Sequence, residues 1–451
     1  MSTDPVALTL DSIRPCLEGL VPAIIATCDP DGVPNVAYLS QVYYADPRHV
    51  ALSFQFFNKT RKNILRHPLA TLLLLHPYTG AFYRLHIRYL HTQTAGPLFE
   101  SMRAQLEGIA SHSGMAGVFA LKGSDLYEVL DIEAVPGTAL PAPPPRCGLL
   151  GQLRRSSELL AHSTTLDEAL ARIMTVLSTE LGMEHAMILL LDESARRLYT
   201  VASHGYAHSG VGSEIELGHG VIGMAAQERT PVRITHMTGA SLYNHAVRRT
   251  LQGQPGIALE TEIAYPGLAQ PQSQLAVPVL SAGRLLGVVF AESAQKLRYT
   301  FEDEDALVTI AGHLGAAIEL LRLEAEQASE PVPAAAPAPC PDTQTLVRVR
   351  RYRSNNSVFL NDSYLIKGVA GAICWKLLQD HRQHGRREFS NRELRLDSSI
   401  GLPEVVDNLE ARLILLERRL AEQTLPIRIA KTGRGRFQLQ VGVRLELVEA
   451  D

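Results

Sequence analysis

The chain has 451 residues, of which 46% are apolar and 20% are charged. This length predicts about three domains, and the composition excludes a wholly disordered chain. The formal net charge is −4, yet residues 345–451 carry +6. A basic segment on an otherwise acidic chain indicates an anionic partner for that segment, either nucleic acid or a membrane surface.

Targeting and cysteine patterns narrow the class of protein further. No run of about 18 uncharged apolar residues occurs, so we expect no transmembrane helix and no membrane partner. Residues 1–5 lack the basic region of a signal peptide. The five cysteines form no C-x-x-C pair, which indicates a reducing, cytoplasmic setting without a structural zinc site.

Two proline-rich segments, 136–145 and 330–341, divide the chain. Dense proline removes backbone donors and favours extended conformations, so neither segment is expected to carry a core. The predicted boundaries are a first domain at 1–135, a linker at 136–150, a second domain at 151–327, a linker at 328–344 and a third domain at 345–451.

The first domain reads as a meander of strands with few helices, which predicts a small barrel. Strands are predicted at 22–28, 34–44, 50–57, 70–76, 82–92 and 124–135. A short helix that ends at His67 follows the third strand, and a second helix is predicted at 97–110. Between the third strand and the first helix stands Phe56-Phe-Asn-Lys-Thr-Arg-Lys-Asn63. Cations and hydroxyls at a helix start favour an anion such as phosphate; a solvated basic helix start explains the same residues.

This order of strand, D-P-D-G turn, strand and F-F-N-K-T-R-x-N resembles the pyridoxamine 5′-phosphate oxidase-like, FMN-binding split barrel. The resemblance covers residues 15–135 and implies a homodimer. It places the FMN phosphate among Asn58, Lys59, Thr60 and Arg61, with Asn63 nearby, and the flavin ring along Val36 and Tyr38. Relatives of this barrel bind deazaflavin or haem, so haem is an alternative ligand. We find no counterpart of the oxidase's substrate residues in 114–131, which argues against pyridoxamine oxidation.

The second domain combines an amphipathic helix at 166–181 with strands near 185–191, 198–203, 273–279 and 285–290. Gly218-His-Gly-Val-Ile-Gly223 matches a dinucleotide-binding pattern, but acidic residues precede it, so we interpret it as a turn into a helix. Together with the later T-P-V-R-I, L-A-V-P-V and G-R-L-L-G-V-V segments, it resembles the GAF sensory domain. That resemblance implies a six-stranded sheet and a small-ligand pocket under 235–273, with His236, Tyr243 and His245 as candidates; a GAF domain without ligand is the alternative.

The helix that leaves this domain carries apolar residues spaced by three and four. They are Leu307, Ile310, Leu314, Ala317 and Leu321. This spacing predicts a coiled-coil seam between two protomers, with a helix packed on its own sheet as the alternative.

The third domain is predicted to contain three helices and a closing hairpin after short strands at 346–351, 358–360 and 364–366. The first helix is expected at 369–383, the second begins with a capping box of Ser390 and Glu393, and the third begins at Pro403. The hairpin is expected to pair 427–431 with 436–441.

This order resembles the winged helix-turn-helix of response-regulator transcription factors, which implies DNA as partner. The third helix would enter the major groove through Arg412, Arg418 and Arg419. The hairpin would meet phosphate through Arg428, Lys431, Arg434 and Arg436. Because the helix is rich in acids, the hairpin is the stronger signal, and a winged helix that binds protein is the alternative.

The sequence therefore predicts a multidomain α+β chain with a split β-barrel, a GAF α/β sandwich and a winged helix. We expect a cytoplasmic, homodimeric, ligand- or redox-responsive transcription regulator. The alternative is an FMN-dependent oxidoreductase regulated by the other two domains. No catalytic triad, paired carboxylates or metal-ligand set stands out in the sequence, which favours a regulator over an enzyme.

Overall fold

The computed structural model describes residues 8–17, 23–39, 42–54, 59–112, 121–142, 148–193, 195–235, 263, 265–327, 346–361, 363–400, 409–433 and 435–450. These residues form three domains that pack against one another. We name them the barrel domain (8–134), the central domain (149–327) and the C-terminal domain (346–450).

The barrel domain is built on a seven-stranded antiparallel sheet in the order β2-β1-β5-β6-β7-β4-β3. Its strands are β1 (Ala23–Cys28), β2 (Pro34–Leu39), β3 (Val42–Asp46), β4 (His49–Phe54), β5 (Leu69–Leu75), β6 (Phe82–Gln93) and β7 (Gly123–Ala134). Helices α1 (Lys59–Arg66) and α2 (Pro97–His112) accompany them, after a 3-10 helix at Asp11–Leu17. Alternate residues point inward, and Ile25, Leu72, Leu85 and Tyr127 meet in the core. The predicted strands are confirmed, except that 34–44 is two strands.

The central domain has a six-stranded sheet in the order β10-β9-β8-β13-β12-β11. Its strands are β8 (His185–Asp192), β9 (Arg197–His204), β10 (Glu214–Glu216), β11 (Val232–Ile234), β12 (Ser273–Ser281) and β13 (Arg284–Ser293). Its helices are α3 (Leu149–Ala161), α4 (Leu166–Thr175), α5 (Gly220–Glu228) and α6 (Phe301–Gln327). Along β8, Ile188 faces the core that α4 and α6 cover, while Met187 faces the core that α5 covers. The sheet is therefore buried on both faces, and the glycine motif is a turn into helix α5, as predicted.

The predicted coiled-coil seam of α6 is wrong as a contact between protomers. Leu307 and Leu314 are 0% exposed and Ile310 is 1% exposed, because they pack within the core of their own domain. The 3–4 spacing is shared by a coiled-coil seam and by a helix lying on its own sheet. Among the described helices, α6 alone has the length and composition of a membrane span, with a mean hydropathy of 1.5 over Phe301–Glu324. Its packing against β12 explains that apolar composition.

The C-terminal domain holds two small sheets around three helices. The strands are β14 (Leu346–Tyr352), β15 (Ser357–Leu360), β16 (Ser363–Ile366), β17 (Glu388–Ser390), β18 (Ile427–Gly433), β19 (Arg436–Val441) and β20 (Arg444–Ala450), and the helices are α7 (Gly368–His384), α8 (Asn391–Leu396) and α9 (Leu409–Glu422). One sheet has the order β16-β15-β14-β20 and the other β17-β19-β18. The predicted capping box of Ser390 and Glu393 is confirmed at the start of α8. Strands β17 and β20 were not predicted, and the expected helix start at Pro403 lies outside the described residues.

The barrel domain docks on the central domain through α2. Ala104 is fully buried in the core that contains α5. Arg103 forms ion pairs with Glu100 and with Glu228 of α5, and Gln105 Nε2 donates to the Arg233 carbonyl at 3.2 Å. An apolar contact flanked by an ion pair and a hydrogen bond indicates a specific interface between these two domains.

Candidate functional site

Helix α9, the helix expected to read DNA, is buried on more than one side. Its centre is the apolar run 413–416, in which Ile414 is 1% exposed and Leu415 is 4% exposed. Four consecutive apolar residues cover more of a helix than one face. One side packs on α7. Leu415 lies against Gly212 of the central domain, where a Cβ on the glycine would be 3.5 Å from Leu415 Cδ1.

The arginines of α9 bind the central domain. Arg412 forms an ion pair with Asp192 at the end of β8, with Nη2 to Oδ2 at 2.6 Å and side-chain exposures of 6% and 17%. Its guanidinium also lies 4.2 Å from the centre of the Tyr199 ring. Arg418 donates to the Val201 carbonyl and to Asp167 Oδ1, the latter at 2.6 Å. These side chains were expected to point outward into a DNA groove; in this structure they point into the central domain.

Further polar contacts surround this interface. Arg419, the third arginine expected in the DNA groove, binds within its own domain instead, where its Nε donates to the Leu365 carbonyl at 3.1 Å. Lys367 pairs with Glu214 at 3.2 Å, and Ser209 donates to Glu422. The two domains are thus joined by an apolar centre and a rim of ion pairs, the arrangement of a specific protein interface.

Two of the cations predicted on the hairpin β18–β19 bind groups within the C-terminal domain. Arg428 donates to the carbonyls of Leu420, Gln423 and Leu425 at 2.7–3.2 Å, where the end of α9 leaves acceptors unsatisfied. Lys431 lies 3.2 Å from Glu410 of α9. Arg436 is half-buried on β19. Arg434 lies outside the described residues, so its predicted phosphate contact has no structural description.

Two arginines that the sequence reasoning passed over are exposed beside the hairpin. Arg387 precedes β17 and Arg392 lies on α8. Within the described residues neither forms an ion pair. The sequence signal for them is the density of arginine in 382–395, which holds five arginines.

In the barrel domain, Arg61 was expected to bind a phosphate. Its guanidinium instead donates to both oxygens of Asp125 at 2.6 and 2.7 Å and to Thr92 Oγ1 at 3.0 Å. Thr92 in turn donates to Asp125, and the guanidinium lies 3.9 Å from the centre of the Phe54 ring. The buried carboxylate occupies the position that a phosphate would take on this guanidinium.

Of the other residues predicted to bind the phosphate, some form hydrogen bonds inside the domain and others are exposed to solvent. Thr60 is buried and accepts from Asn35 Nδ2 at 3.0 Å, while Asn63 Nδ2 donates to Thr27 at 3.2 Å. Lys59 is exposed at the head of α1. Val36 and Tyr38, expected along a flavin ring, are 67% and 81% exposed on the edge strand β2. Asn58 lies outside the described residues.

Arg61 therefore does not fit a phosphate group, because a second anion would lie beside the buried Asp125 carboxylate. We assign Arg61 no cofactor role. The described side chain that remains suited to a flavin phosphate is the exposed Lys59 at the head of α1.

The central domain contains a buried carboxylate on its α5 side. Glu292 is 1% exposed, and its oxygens accept from Leu268 N at 2.7 Å and from Gln274 Nε2 at 3.0 Å. Burial raises the pKa of Glu292 above its ordinary value, against the opposing effect of these hydrogen bonds. Burial, and after it the charge of Glu292, raises the pKa of the Tyr206 and Tyr265 hydroxyls above the ordinary value. The pocket candidates His236, Tyr243 and His245 lie outside the described residues.

One group of potential metal ligands occurs within the described residues. His86, Asp131 and Glu133 lie on the neighbouring strands β6 and β7 and are partly or fully exposed. Arg84 already pairs with Glu133 at 3.1 Å. We assign no metal to this group.

Comparison with known proteins identifies two of the three domains. Residues 163–319 match the family model of the GAF domain, and residues 9–132 match that of pyridoxamine 5′-phosphate oxidase. The chain carries a pyridoxamine 5′-phosphate oxidase-like domain followed by a GAF domain. We call them the barrel and GAF domains from here on, the GAF domain being the central domain. No curated protein matches the chain.

Solved structures resemble single domains of the chain. The GAF domain of an Acinetobacter phosphoenolpyruvate-protein phosphotransferase is 22% identical, with a TM-score of 0.31, over 41% of this chain and 99% of its own. Free methionine-R-sulfoxide reductase from Neisseria meningitidis is 20% identical, with a TM-score of 0.31, over 41% and 98%. An FMN-binding protein from Syntrophomonas wolfei is 15% identical, with a TM-score of 0.25, over 28% and 86%.

The Arg61–Asp125 pair predicts a stability effect. Asp125→Asn leaves the guanidinium buried without a counter-charge, so the free energy of unfolding should fall by about 3–5 kcal/mol. Urea unfolding followed by far-ultraviolet circular dichroism measures it. Asp131→Asn, an exposed change on the same strand, should alter it by less than about 0.5 kcal/mol. Equal effects of the two substitutions would contradict a buried pair.

Glu292 predicts a dependence of stability on pH. Its folded-state pKa lies above the ordinary value of 4.5, so the stability it contributes is present at low pH and is lost as the pH rises through the folded pKa. The melting temperature of Glu292→Gln should therefore decline less than that of the wild type as the pH rises above 4.5. Glu193→Gln, an exposed substitution in the same domain, should follow the wild type; a Glu292→Gln curve parallel to both would refute the assignment.

Proposed function

We propose that this protein is a ligand- or redox-responsive transcription regulator in which the GAF domain controls a DNA-binding C-terminal domain. The C-terminal domain supports this through its order of strands β14–β16, helices α7–α9 and hairpin β18–β19, which is the order of a winged helix. Its net charge of +6 over 345–451 suits a polyanion. The regulator is cytoplasmic, and it acts as a homodimer.

The observation that carries this proposal is the ion pair between Arg412 of α9 and Asp192 of the GAF domain. The helix that would enter the major groove is covered by the sensor while this contact is made. A domain that is covered in one arrangement and released in another is the two-state element that regulation requires.

Strand β8 of the GAF sheet links the surroundings of the buried Glu292 to the contact between Asp192 and Arg412. Strand β8 begins at His185, which pairs in register with Glu292 of β13. The same strand ends at Asp192, which binds Arg412. A small molecule that alters the packing around Glu292 thus acts on a strand whose other end holds α9. Such a ligand shifts the equilibrium only through different affinities for the two arrangements.

The barrel domain is the second sensor in this proposal, with a flavin such as FMN as its ligand and haem as the alternative. The family match of residues 9–132 supports the flavin. The exposed Lys59 is suited to its phosphate, and the exposed Val36 and Tyr38 of β2 are suited to its ring. A bound flavin supplies redox chemistry; the chain's own residues position it. Docking of α2 on α5 gives the barrel a direct contact with the GAF domain.

The absorption spectrum of the purified protein tests the barrel's ligand. We expect flavin bands that survive gel filtration and bleach on reduction. A Soret band would show that the ligand is haem instead of flavin. A spectrum that shows neither chromophore after addition of FMN would contradict the proposal that the barrel is a flavin sensor.

The contact between α9 and the GAF domain predicts a gain of DNA binding on release. Asp192→Asn deprives Arg412 of its counter-charge and weakens the covered arrangement, so affinity for duplex DNA should rise by roughly 5–150-fold, the range of typical coupling energies. Fluorescence anisotropy with a labelled random-sequence duplex measures it in the full chain.

Glu193→Gln is the matched control, because it removes the same charge from the adjacent, exposed residue. Its DNA affinity should equal that of the wild type. An equal gain in both variants would mean that net charge alone is responsible. Absence of DNA binding by the wild type and by Asp192→Asn at low salt would overturn the proposed function.

A further inference from the structure

Most of the arginines and lysines predicted to contact DNA bind other groups of this chain instead. Arg412 and Arg418 bind the GAF domain, Arg428 caps the end of α9, and Lys431 pairs with Glu410. The charge of these four residues is engaged inside the folded chain, so other exposed cations of the C-terminal domain are the candidates for contact with a polyanion.

Arg387 and Arg392 provide that charge beside the hairpin, and we name these two residues the arginine surface. Both are exposed. The Arg387 carbonyl accepts from Leu439 N of β19 at 2.8 Å, and the backbone N–H of Asn391, next to Arg392, donates to the Gly435 carbonyl at 2.8 Å. The hairpin therefore holds both backbones in place.

Neighbouring contacts fix the arginine surface and leave its charge uncompensated. Arg386 forms an ion pair with Glu393, with Nη2 to Oε2 at 2.6 Å. Its Nη1 also lies 3.9 Å from Asp380 Oδ2. Glu393 also accepts from the Ser390 backbone N–H in the capping box. Because these acids are engaged by Arg386 and the capping box, Glu388 is the one exposed acid left in the segment 386–395. Two exposed arginines against one acid give a local positive field.

We propose that the arginine surface binds the phosphate backbone of duplex DNA while α9 is still held by the GAF domain. The proposal rests on the proposed function and adds a first binding mode to it. Contacts to phosphate carry no sequence information by themselves. The covered protein thus binds DNA without base preference, and base reading by α9 begins only after release.

Duplex DNA is favoured over an anionic membrane by the surroundings of the arginine surface. A membrane-binding surface combines basic residues with exposed apolar side chains. Here the aromatic residues next to the arginines, Phe389 and Phe437, are 5% and 3% exposed and stack on each other inside the domain. Leu396, at the end of α8, is the exposed large apolar residue of the segment 386–396.

The test measures binding of the full chain to a random-sequence duplex between about 50 and 200 mM salt, where counterion release makes affinity fall steeply. R387A/R392A loses two phosphate contacts. The plot of log affinity against log salt should therefore become less steep, with the magnitude of its negative slope smaller by about 2. Affinity at low salt should drop about tenfold or more, equally for all duplex sequences.

R48A/R444A is the matched control. It removes two exposed arginines from β20 and from the turn before β4, and it should keep the wild-type slope. Melting temperatures of both variants confirm folding. If R387A/R392A binds DNA as the control does, the arginine surface is not the binding site, and the regulator function stands. If neither the wild type nor Asp192→Asn binds DNA, the proposed function itself fails. Binding to phosphatidylserine vesicles but not to duplex would overturn the inference in favour of a membrane.

Discussion

The buried contact between Arg412 and Asp192 determines how the C-terminal half of the chain is arranged. An arginine that is 6% exposed needs a counter-charge, since an unpaired buried charge costs several kcal/mol. Asp192 supplies it from the end of a GAF strand, and the Tyr199 ring covers the guanidinium. Leu415 lies against Gly212, so α9 has a second apolar face that contacts the GAF domain. Helix α9 therefore packs stably on the GAF domain, and in this arrangement little of its surface is exposed for contact with a DNA groove.

The same principle operates in the barrel and in the hairpin. Motifs that indicate anion binding consist of cations and hydroxyls near helix starts and turns, and the folded chain uses those groups for its own anions and carbonyls. Arg61 binds Asp125, and Arg428 binds the carbonyls of Leu420 in the last turn of α9 and of Leu425 beyond it. A cationic motif therefore identifies where charge is placed, whereas the partner of that charge depends on the residues that tertiary folding brings to it.

Local patterns predicted most of the secondary structure, and distant contacts account for what they missed. Strand alternation, the glycine turn before α5 and the capping box of α8 are encoded within a few residues. The seam of α6 was misassigned because 3–4 spacing does not reveal whether a sheet or a second helix covers it. Strand β20 pairs in parallel with β14, almost a hundred residues earlier, and the partners of Arg61 and Arg412 are 64 residues and more away. The exposure of Arg387 and Arg392 could not be predicted from the sequence, because it depends on the pairing of Glu393 with Arg386 and on the contacts of β17 and α8 with the hairpin.

The distance between the GAF and C-terminal domains tests the central claim most directly. Spin labels at exposed Glu158 of α3 and exposed Arg444 of β20 report it in the full chain by pulsed dipolar spectroscopy. We predict one narrow distance in the free protein. With a saturating duplex that carries the protein's preferred sequence, we predict a longer or broader distribution as α9 leaves the GAF domain. A distribution that stays unchanged on such a duplex would contradict control by release of α9.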